Sequence, residues 1–207
     1  MNKFKFYIDF EKEEKWLNQM AEQGWELCKK SFGYEFHKIV PNNIINTIIK
    51  IDYRTFKNNR AFEDYLALFR DSGWEHISGS KYSGTQYFKR VNENGDTDIF
   101  SDISSKAARY KRLSNMWLTT AISYFPIFIA LILTNAVNIT AFLNPRALYY
   151  TPGLWERTGV YFWRAFLFET PFAVMRGVSW LFFPVLIILY LAFAIKAEKH
   201  YRKTSPE

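Results

Sequence analysis

At 207 residues, with 27 Lys+Arg against 20 Asp+Glu, the chain has room for one ordinary domain and something small beside it. Its one cysteine, Cys28, excludes an internal disulfide. The net charge of +7 does not mark a nucleic-acid binder: residues 1–112 interleave 19 basic with 16 acidic residues, while the rest of the chain carries 8 and 4 among long apolar runs, the pattern of basic residues flanking membrane spans.

The opening MNKFKFYIDF does not read as a signal peptide, so the N-terminal domain is expected to stay on the side of synthesis. Phe4, Phe6 and Ile8 alternate with Lys5 and Tyr7, the period of a half-buried strand. EKEEKWLNQMAEQG then places Glu13, Trp16, Leu17 and Met20 on one helical stripe, with Gly24 as its C-cap. Two strands follow, WELCKKS and FGYEFHKIV, before Pro41-Asn42-Asn43 breaks the pattern.

The order then recurs. IINTIIKIDYR reads as a strand, and Phe62, Tyr65, Leu66 and Phe69 form a stripe ending at Gly73. WEHISGS and GTQYFKRV are the second pair of strands. Trp16, Leu17, Met20, Gly24, Trp25 and Glu26 match Tyr65, Leu66, Phe69, Gly73, Trp74 and Glu75 at a constant offset of 49. Ile8-Asp9-Phe10 matches Ile51-Asp52-Tyr53, and Phe36-His37-Lys38 matches Phe88-Lys89-Arg90, which is how a duplication with altered loops looks. The expected fold class is α+β: a duplicated strand–helix–strand–strand unit forming an antiparallel sheet with two helices on one face, followed by a two-helix transmembrane region. The duplicated domain is expected over residues 1–98, with units at 1–40 and 44–91. Trp16, Trp25, Phe36, Tyr65, Phe69, Trp74 and Phe88 should supply most of its core.

Asn92 to Asp98 is a polar linker, and Ser104-Ser105 are good N-caps for a helix that begins basic at Lys106, Arg109, Lys111 and Arg112. Within residues 99–207, uncharged apolar stretches predict spans at about 114–135 and 178–195. Pro126 and Pro184 fall inside them, as membrane helices tolerate. Four basic residues precede the first span and four follow the second, against four arginines between them. That asymmetry predicts a multi-pass protein of the bacterial cell membrane with both termini cytoplasmic. The segment at about 145–175, above all LWERTGVYFWRAFLFETPF, is too aromatic for a water-exposed loop and reads as lying in the membrane interface, with a re-entrant or third short span as the alternative. The KAARYKRL run is expected to contact anionic lipid headgroups.

Catalytic signatures are absent: no nucleophile elbow, no phosphate loop, no dinucleotide fingerprint, and no paired Cys or His metal motif. His37, His76 and His200 are scattered, and Cys28 reads as a small, partly buried thiol with no histidine close by in sequence. No cofactor or metal is expected, and no enzymatic activity. Asp96, Asp98 and Asp102 lack calcium-loop spacing. Glu26 and Glu75, and likewise Asp9 and Asp52, are matched acids that a pseudo-twofold axis could pair for acid–base or cation chemistry, or that duplication alone leaves on solvated faces.

The run from Phe6 to Glu13, the Trp16-Leu17 pair, Gln23-Gly24-Trp25-Glu26-Leu27, Gly73-Trp74-Glu75 and Ile99-Phe100-Ser101-Asp102 together resemble the bacterial domain-of-unknown-function family numbered 2812. The resemblance implies no site residues. It implies company with PadR-type transcriptional repressors, and the repeat order is similar in topology to GyrI-type drug-sensing domains. The expected function is a membrane-anchored, non-enzymatic regulatory or sensing module. Its cytosolic domain would bind an amphipathic small molecule or a protein partner between the units, with Trp25, Trp74, Phe36 and Phe88 as walls. The alternative is an accessory subunit of a transporter or other membrane complex, contacting its partner through the spans, where Ala121, Ser123 and Ala130 are small. Beyond these, the bilayer is the expected partner.

Overall fold

A computed structural model describes residues 1–39, 47–92 and 95–205. The expected break at Pro41-Asn42-Asn43, the start of the strand expected from Ile44, and Glu93-Asn94 of the polar linker lie outside these residues. The chain divides into two compact units, residues 1–115 with 193–207, and residues 116–192.

The first unit is α+β and carries the repeat. In the first half, strand β1 (Asn2–Lys3) is followed by helix α1 (Phe10–Glu22), β2 (Trp25–Lys30) and β3 (Tyr34–Lys38). In the second half, β4 (Ile49–Tyr53), α2 (Asn59–Asp71), β5 (Trp74–Ser78) and β6 (Thr85–Arg90) follow. All pairings are antiparallel, and they form two three-stranded sheets, ordered β1-β3-β2 and β4-β6-β5, in place of one continuous ladder. Ser78 Oγ joins β5 to β2, accepting from Lys30 N at 2.9 Å and donating to Lys30 O at 3.3 Å.

The stripes read from the sequence seat the helices. Trp16 of α1 meets Tyr34 and Phe36 edge-on at 4.8 and 5.7 Å. Tyr65 and Phe69 of α2 pack with Trp74 and Phe88 as one buried cluster. Both helices stop where glycine takes a left-handed conformation, Gly24 at φ 80° and Gly73 at φ 82°. Each glycine carbonyl then accepts from the strand that returns beside it, Ile39 N in one half and Val91 N in the other.

The expected strand over Phe4–Ile8 is absent. β1 is confined to Asn2–Lys3, because Asp9 already caps α1, its side chain accepting from Glu11 N and Lys12 N. Phe4 and Phe6 are exposed. The cap of α2 is Asn58, which is Asp9's counterpart at the offset of 49; Asp52 lies in β4 and is not. Trp16 and Trp25 are half-buried, while Phe36, Tyr65, Phe69, Trp74 and Phe88 are buried.

β4 is an edge strand, and edge strands leave backbone groups unpaired. Here side chains occupy that edge. Ile49 N donates to Asn18 Oδ1 (2.7 Å) and Ile51 N to Glu14 Oε1 (3.1 Å), both from α1. Ile51 O accepts from Arg109 (2.6 Å) and Tyr53 O from Arg112 Nε, both from helix α3 (Ile103–Leu133). Arg109 is fully buried, ion-paired to Glu14, with the rings of Phe10, Phe100 and Tyr110 at 5.2–5.3 Å from its guanidinium carbon. Arg112 pairs with Asp52 at 2.6 Å.

Each cation of the basic run has a carboxylate partner, and Arg109 is buried inside the domain. Lys106 holds Asp98 at 2.9 Å and Lys111 holds Glu198 at 3.0 Å. The cap of α3 is also not a serine: Asp102 accepts from Ser105 N at 2.7 Å and from both serine hydroxyls, which hold its carboxyl well below the usual range. Burial would raise the Asp98 carboxyl, but Lys106 and Lys50 hold it below the ordinary value.

In the second unit, α3 continues to Leu133 through Pro126. A short helix α4 (Thr140–Leu143) and two turns of 3-10 helix (Pro145–Leu148, Leu154–Glu156) lead into α5 (Gly159–Thr204). α5 joins most of the aromatic segment and the second apolar stretch into one helix, through Pro171 and Pro184. Trp117, Tyr190, Tyr124, Phe183 and Phe128 form a ladder of rings between α3 and α5. Glu169 accepts from Thr151 Oγ1 (2.6 Å), Tyr150 N (3.2 Å) and Arg176 (2.5 Å), fastening the loop to α5.

Arg109→Met is expected to destabilise the first unit, at the lower end of about 3–5 kcal/mol, because it takes the nearer cation from the buried Glu14 carboxylate and leaves it Lys50 at 3.6 Å. Glu14→Gln should recover much of that loss in the Arg109→Met background and cost stability alone. Thermal unfolding of the full-length chain in nanodiscs, run as a double-mutant cycle, checks both.

Candidate functional site

Strand alternation separates β2 into two faces. Leu27 is buried against the α1 side, and Glu26 and Cys28 flank it in sequence. Glu26 pairs in register with His37 of β3, and the ladder slips between Leu27 and Lys29, which leaves Cys28 in a β-bulge. Bulges re-aim side chains. Cys28 Sγ lies 2.6 Å from His37 Nδ1, and His37 Nε2 lies 3.1 Å from Glu26 Oε2. Cys28 is exposed and free. The thiol is not partly buried as expected, and although no histidine is close in sequence, a tight hairpin folds the chain back and puts His37, nine residues on, against it.

The second half repeats the ladder without the thiol. Glu75 pairs in register with Lys89, and the slip falls between His76 and Ser78, at Ile77. Lys89 Nζ lies 2.6 Å from Glu26 and 3.6 Å from Glu75. The two matched acids are thus brought to one cation and not to each other. Burial alone would lower the Lys89 ammonium, but the two carboxylates hold it above the ordinary lysine value. Asp9 and Asp52 are not paired: Asp9 caps α1, and Asp52 accepts from Tyr65 (2.9 Å) and Arg112.

A cavity of about 800 Å³ opens beside the second glycine corner. Leu66, Trp74 and Val91 give it apolar surface, and Arg70, Glu75, His76 and Asn92 line the remainder with Gly73. Of the four rings expected as walls, it takes Trp74 alone. Phe88 is fully buried behind it, Phe36 lies under Trp16, and Trp25 is half-buried at the start of β2. The cavity sits within the second repeat and not between the two. His76, turned toward Phe62 and Phe88, is held below its ordinary value by burial, against the hydrogen bond its Nε2 makes to Gln86 Oε1 at 3.0 Å.

A third cluster lies inside. Glu13 of α1 is buried, and its Oε1 accepts from Tyr34 Oη (2.6 Å) and Tyr87 Oη (2.7 Å), one tyrosine from each half. Burial raises the Glu13 carboxyl above its ordinary value in spite of both hydroxyls and Lys30. The sequence placed Glu13 on the apolar stripe but gave it no role. Its signal was there: a carboxylate on a core-facing helix position needs buried donors. Among the described residues, no group of three or more His, Cys, Asp or Glu could hold a metal ion.

The family model described as protein of unknown function (DUF2812) matches residues 9–122, more than half of the chain. No curated protein and no solved structure matches it.

The raised Glu13 carboxyl sets a pH dependence. A buried acid that prefers its proton stabilises the fold fully below its unfolded value of about 4.5, and that contribution is lost as pH rises through the higher folded value. Glu13→Gln keeps the acceptor oxygen and cannot ionise. The variant should melt above the wild type at pH 8, with the gap closing by pH 4; melting curves of the full-length chain at both pH values check it.

Proposed function

Because the chain belongs to the family of proteins of unknown function (DUF2812), which prescribes no reaction, we propose its role from its own residues: a membrane-anchored, non-enzymatic regulatory or sensing module whose cytosolic repeat domain binds an amphipathic small molecule. The observation that carries the anchoring is exposure. The most apolar 18-residue windows of α3 and α5 have mean hydropathies of 1.9 and 2.5, yet only 6% and 11% of them is buried. Water does not tolerate so much apolar surface, and a core helix would be covered. At 31 and 46 residues, the helices are about 46 and 69 Å long, more than the roughly 30 Å of hydrocarbon they would cross.

Two crossings return the chain to its starting side, and the basic residues gather at Lys106–Arg112 and Lys196–Lys203. That asymmetry supports cytoplasmic termini in a bacterial membrane. The cavity beside Trp74 supports the ligand: its volume is that of a small-molecule site, and its lining combines the apolar Leu66, Trp74 and Val91 with the Arg70 cation.

The accessory-subunit reading rests on a separate feature. Residues 159–175 of α5 precede the second apolar stretch, and there Tyr161, Trp163, Leu167 and Phe168 are 58–76% exposed. One bilayer crossing does not account for them, and a partner in a membrane complex would cover them.

Orientation is read with a membrane-impermeant maleimide on whole cells, in a Cys28→Ser background. Arg157→Cys should label from outside and Lys203→Cys only after lysis; the reverse pattern removes the cytosolic domain. For the ligand, the probe is the amphipathic anion 8-anilinonaphthalene-1-sulfonate with the full-length chain in nanodiscs. Saturable fluorescence above empty nanodiscs is expected, and Leu66→Trp or Arg70→Glu should abolish it. Equal saturation in both variants would place the dye elsewhere and remove this pocket. Gentle purification from native membranes, with near-stoichiometric recovery of a membrane protein that Leu167→Ser and Phe168→Ser release, would favour the subunit reading.

A further inference from the structure

The chain's one thiol is placed as a reactive thiol is placed. A nucleophilic cysteine needs access, a base in contact, and a third group that fixes the base. Cys28 is exposed. His37 Nδ1 touches its sulfur, and His37 Nε2 faces the Glu26 carboxylate at 3.1 Å. Glu26 is itself held by Lys89 at 2.6 Å, so the imidazole is oriented from a fixed point. The groups facing the thiol–imidazole pair are thus Glu26 of β2, Lys89 of β6 and, behind Lys89, Glu75 of β5.

The duplication supplies a comparison within the same molecule. The second half has the same carboxylate-to-cation pairing, Glu75 with Lys89, and a bulge at the same point of the ladder. There the bulged residue is Ile77, and the residue opposite the carboxylate is a lysine, which at neutral pH cannot take a proton. Scaffold and ladder are shared by both halves. Thiol and imidazole together occur in one.

We propose that Cys28 is a reactive thiol, with His37 as its proton acceptor and Glu26 as the residue positioning the imidazole, and that it captures soft carbon electrophiles of the α,β-unsaturated carbonyl class. The proton passes from Sγ to His37 Nδ1. The sulfur lone pair forms a C–S bond at the β-carbon of the electrophile, and the π pair of the C=C bond moves onto the enolate. The α-carbon then takes the proton back from His37. The net change is addition of S–H across the double bond, with no leaving group and no oxidant. Oxidative signalling fits less well, because the chain holds no second cysteine to resolve an oxidised sulfur as a disulfide. Capture is stoichiometric, so it marks the domain without turnover, and it does not depend on the cavity beside Trp74.

The test uses the full-length protein in nanodiscs and N-ethylmaleimide as the electrophile, with adduct at Cys28 followed by mass spectrometry from pH 5.5 to 8.5. The folded protein should react roughly tenfold faster at pH 6 than the urea-unfolded chain, with a flatter pH profile. His37→Asn should return both rate and profile to those of the unfolded chain. Glu26→Gln should slow the reaction and shift its profile at an unchanged melting temperature, which a merely structural role would not do. A folded protein that reacts no faster than the unfolded chain, on the same profile, overturns the proposal whether or not the variants fold. So does a folded His37→Asn that reacts like the wild type. Given hydrogen peroxide and acrolein in equal concentration, Cys28 should carry the acrolein adduct; sulfenic acid as the main product would overturn the electrophile class.

Discussion

The outward edge of β4 is the constraint on which the first unit depends. Ile49, Ile51 and Tyr53 turn their backbone groups away from β6, and a hydrogen-bonding edge left bare would either bind water or recruit another strand. The chain fills it with side chains drawn from α1 and α3. Asn18 and Glu14 satisfy the N–H groups of Ile49 and Ile51, and Arg109 and Arg112 satisfy the carbonyls of Ile51 and Tyr53. The cost of such a device is a guanidinium buried to 0% exposure. Glu14 neutralises it, and the rings of Phe10, Phe100 and Tyr110 surround it where Nε and one terminal nitrogen have no acceptor among the described residues. A buried ion pair is poor evidence for stability in itself, but once formed it is costly to break from one side. That asymmetry makes it a good lock.

The two halves of the repeat have diverged around this lock. The helix ends are the same: Gly24 and Gly73, equal in φ to within 2°, each with a carbonyl taken by the returning strand. The leading strands are not. β4 is a full edge strand, while its counterpart shrinks to Asn2–Lys3 because α1 starts directly at Asp9. The interior polar groups are asymmetric too. Glu13 and Glu14 of α1 serve both halves, reaching Tyr87 of β6 and Ile51 of β4, and α2 contributes no such pair. The second half keeps instead a cavity beside its glycine corner.

Local features were therefore legible in the sequence, and long-range polar partners were not. Helical stripes, glycine caps, strand pairs and apolar stretches are written in residues close together along the chain, and each was found near its expected place. Arg109 was misread because its partner lies 95 residues away at Glu14; in a basic run before an apolar stretch, nothing local separates a buried arginine from one that meets lipid. Cys28 and His37 lie nine apart, but their contact requires both the hairpin register and the slip at the bulge, and a bulge has no reliable local code when no glycine marks it. The continuity of α5 was hidden by Arg164, Glu169, Pro171 and Arg176, which look like an interruption. Glu169 and Arg176 answer each other across two turns, so the polar residues need no break in the helix. Gly177 presents a bare surface to the Leu148 side chain.

The lock also explains why the repeat domain and the base of α3 fall in one compact unit despite a polar linker between them. α3 leaves β6 by way of Asp98, which Lys50 and Lys106 hold from either side, and starts at the Asp102 cap. Its first three turns then supply Arg109 and Arg112 to the sheet edge, and the same helix runs on without interruption to Leu133. Without these two side chains the Ile51 and Tyr53 carbonyls would lose their donors on the outward edge of β4. Were α3 a mere tether, its first turns would be solvated and its arginines free; instead they complete the domain's hydrogen bonding.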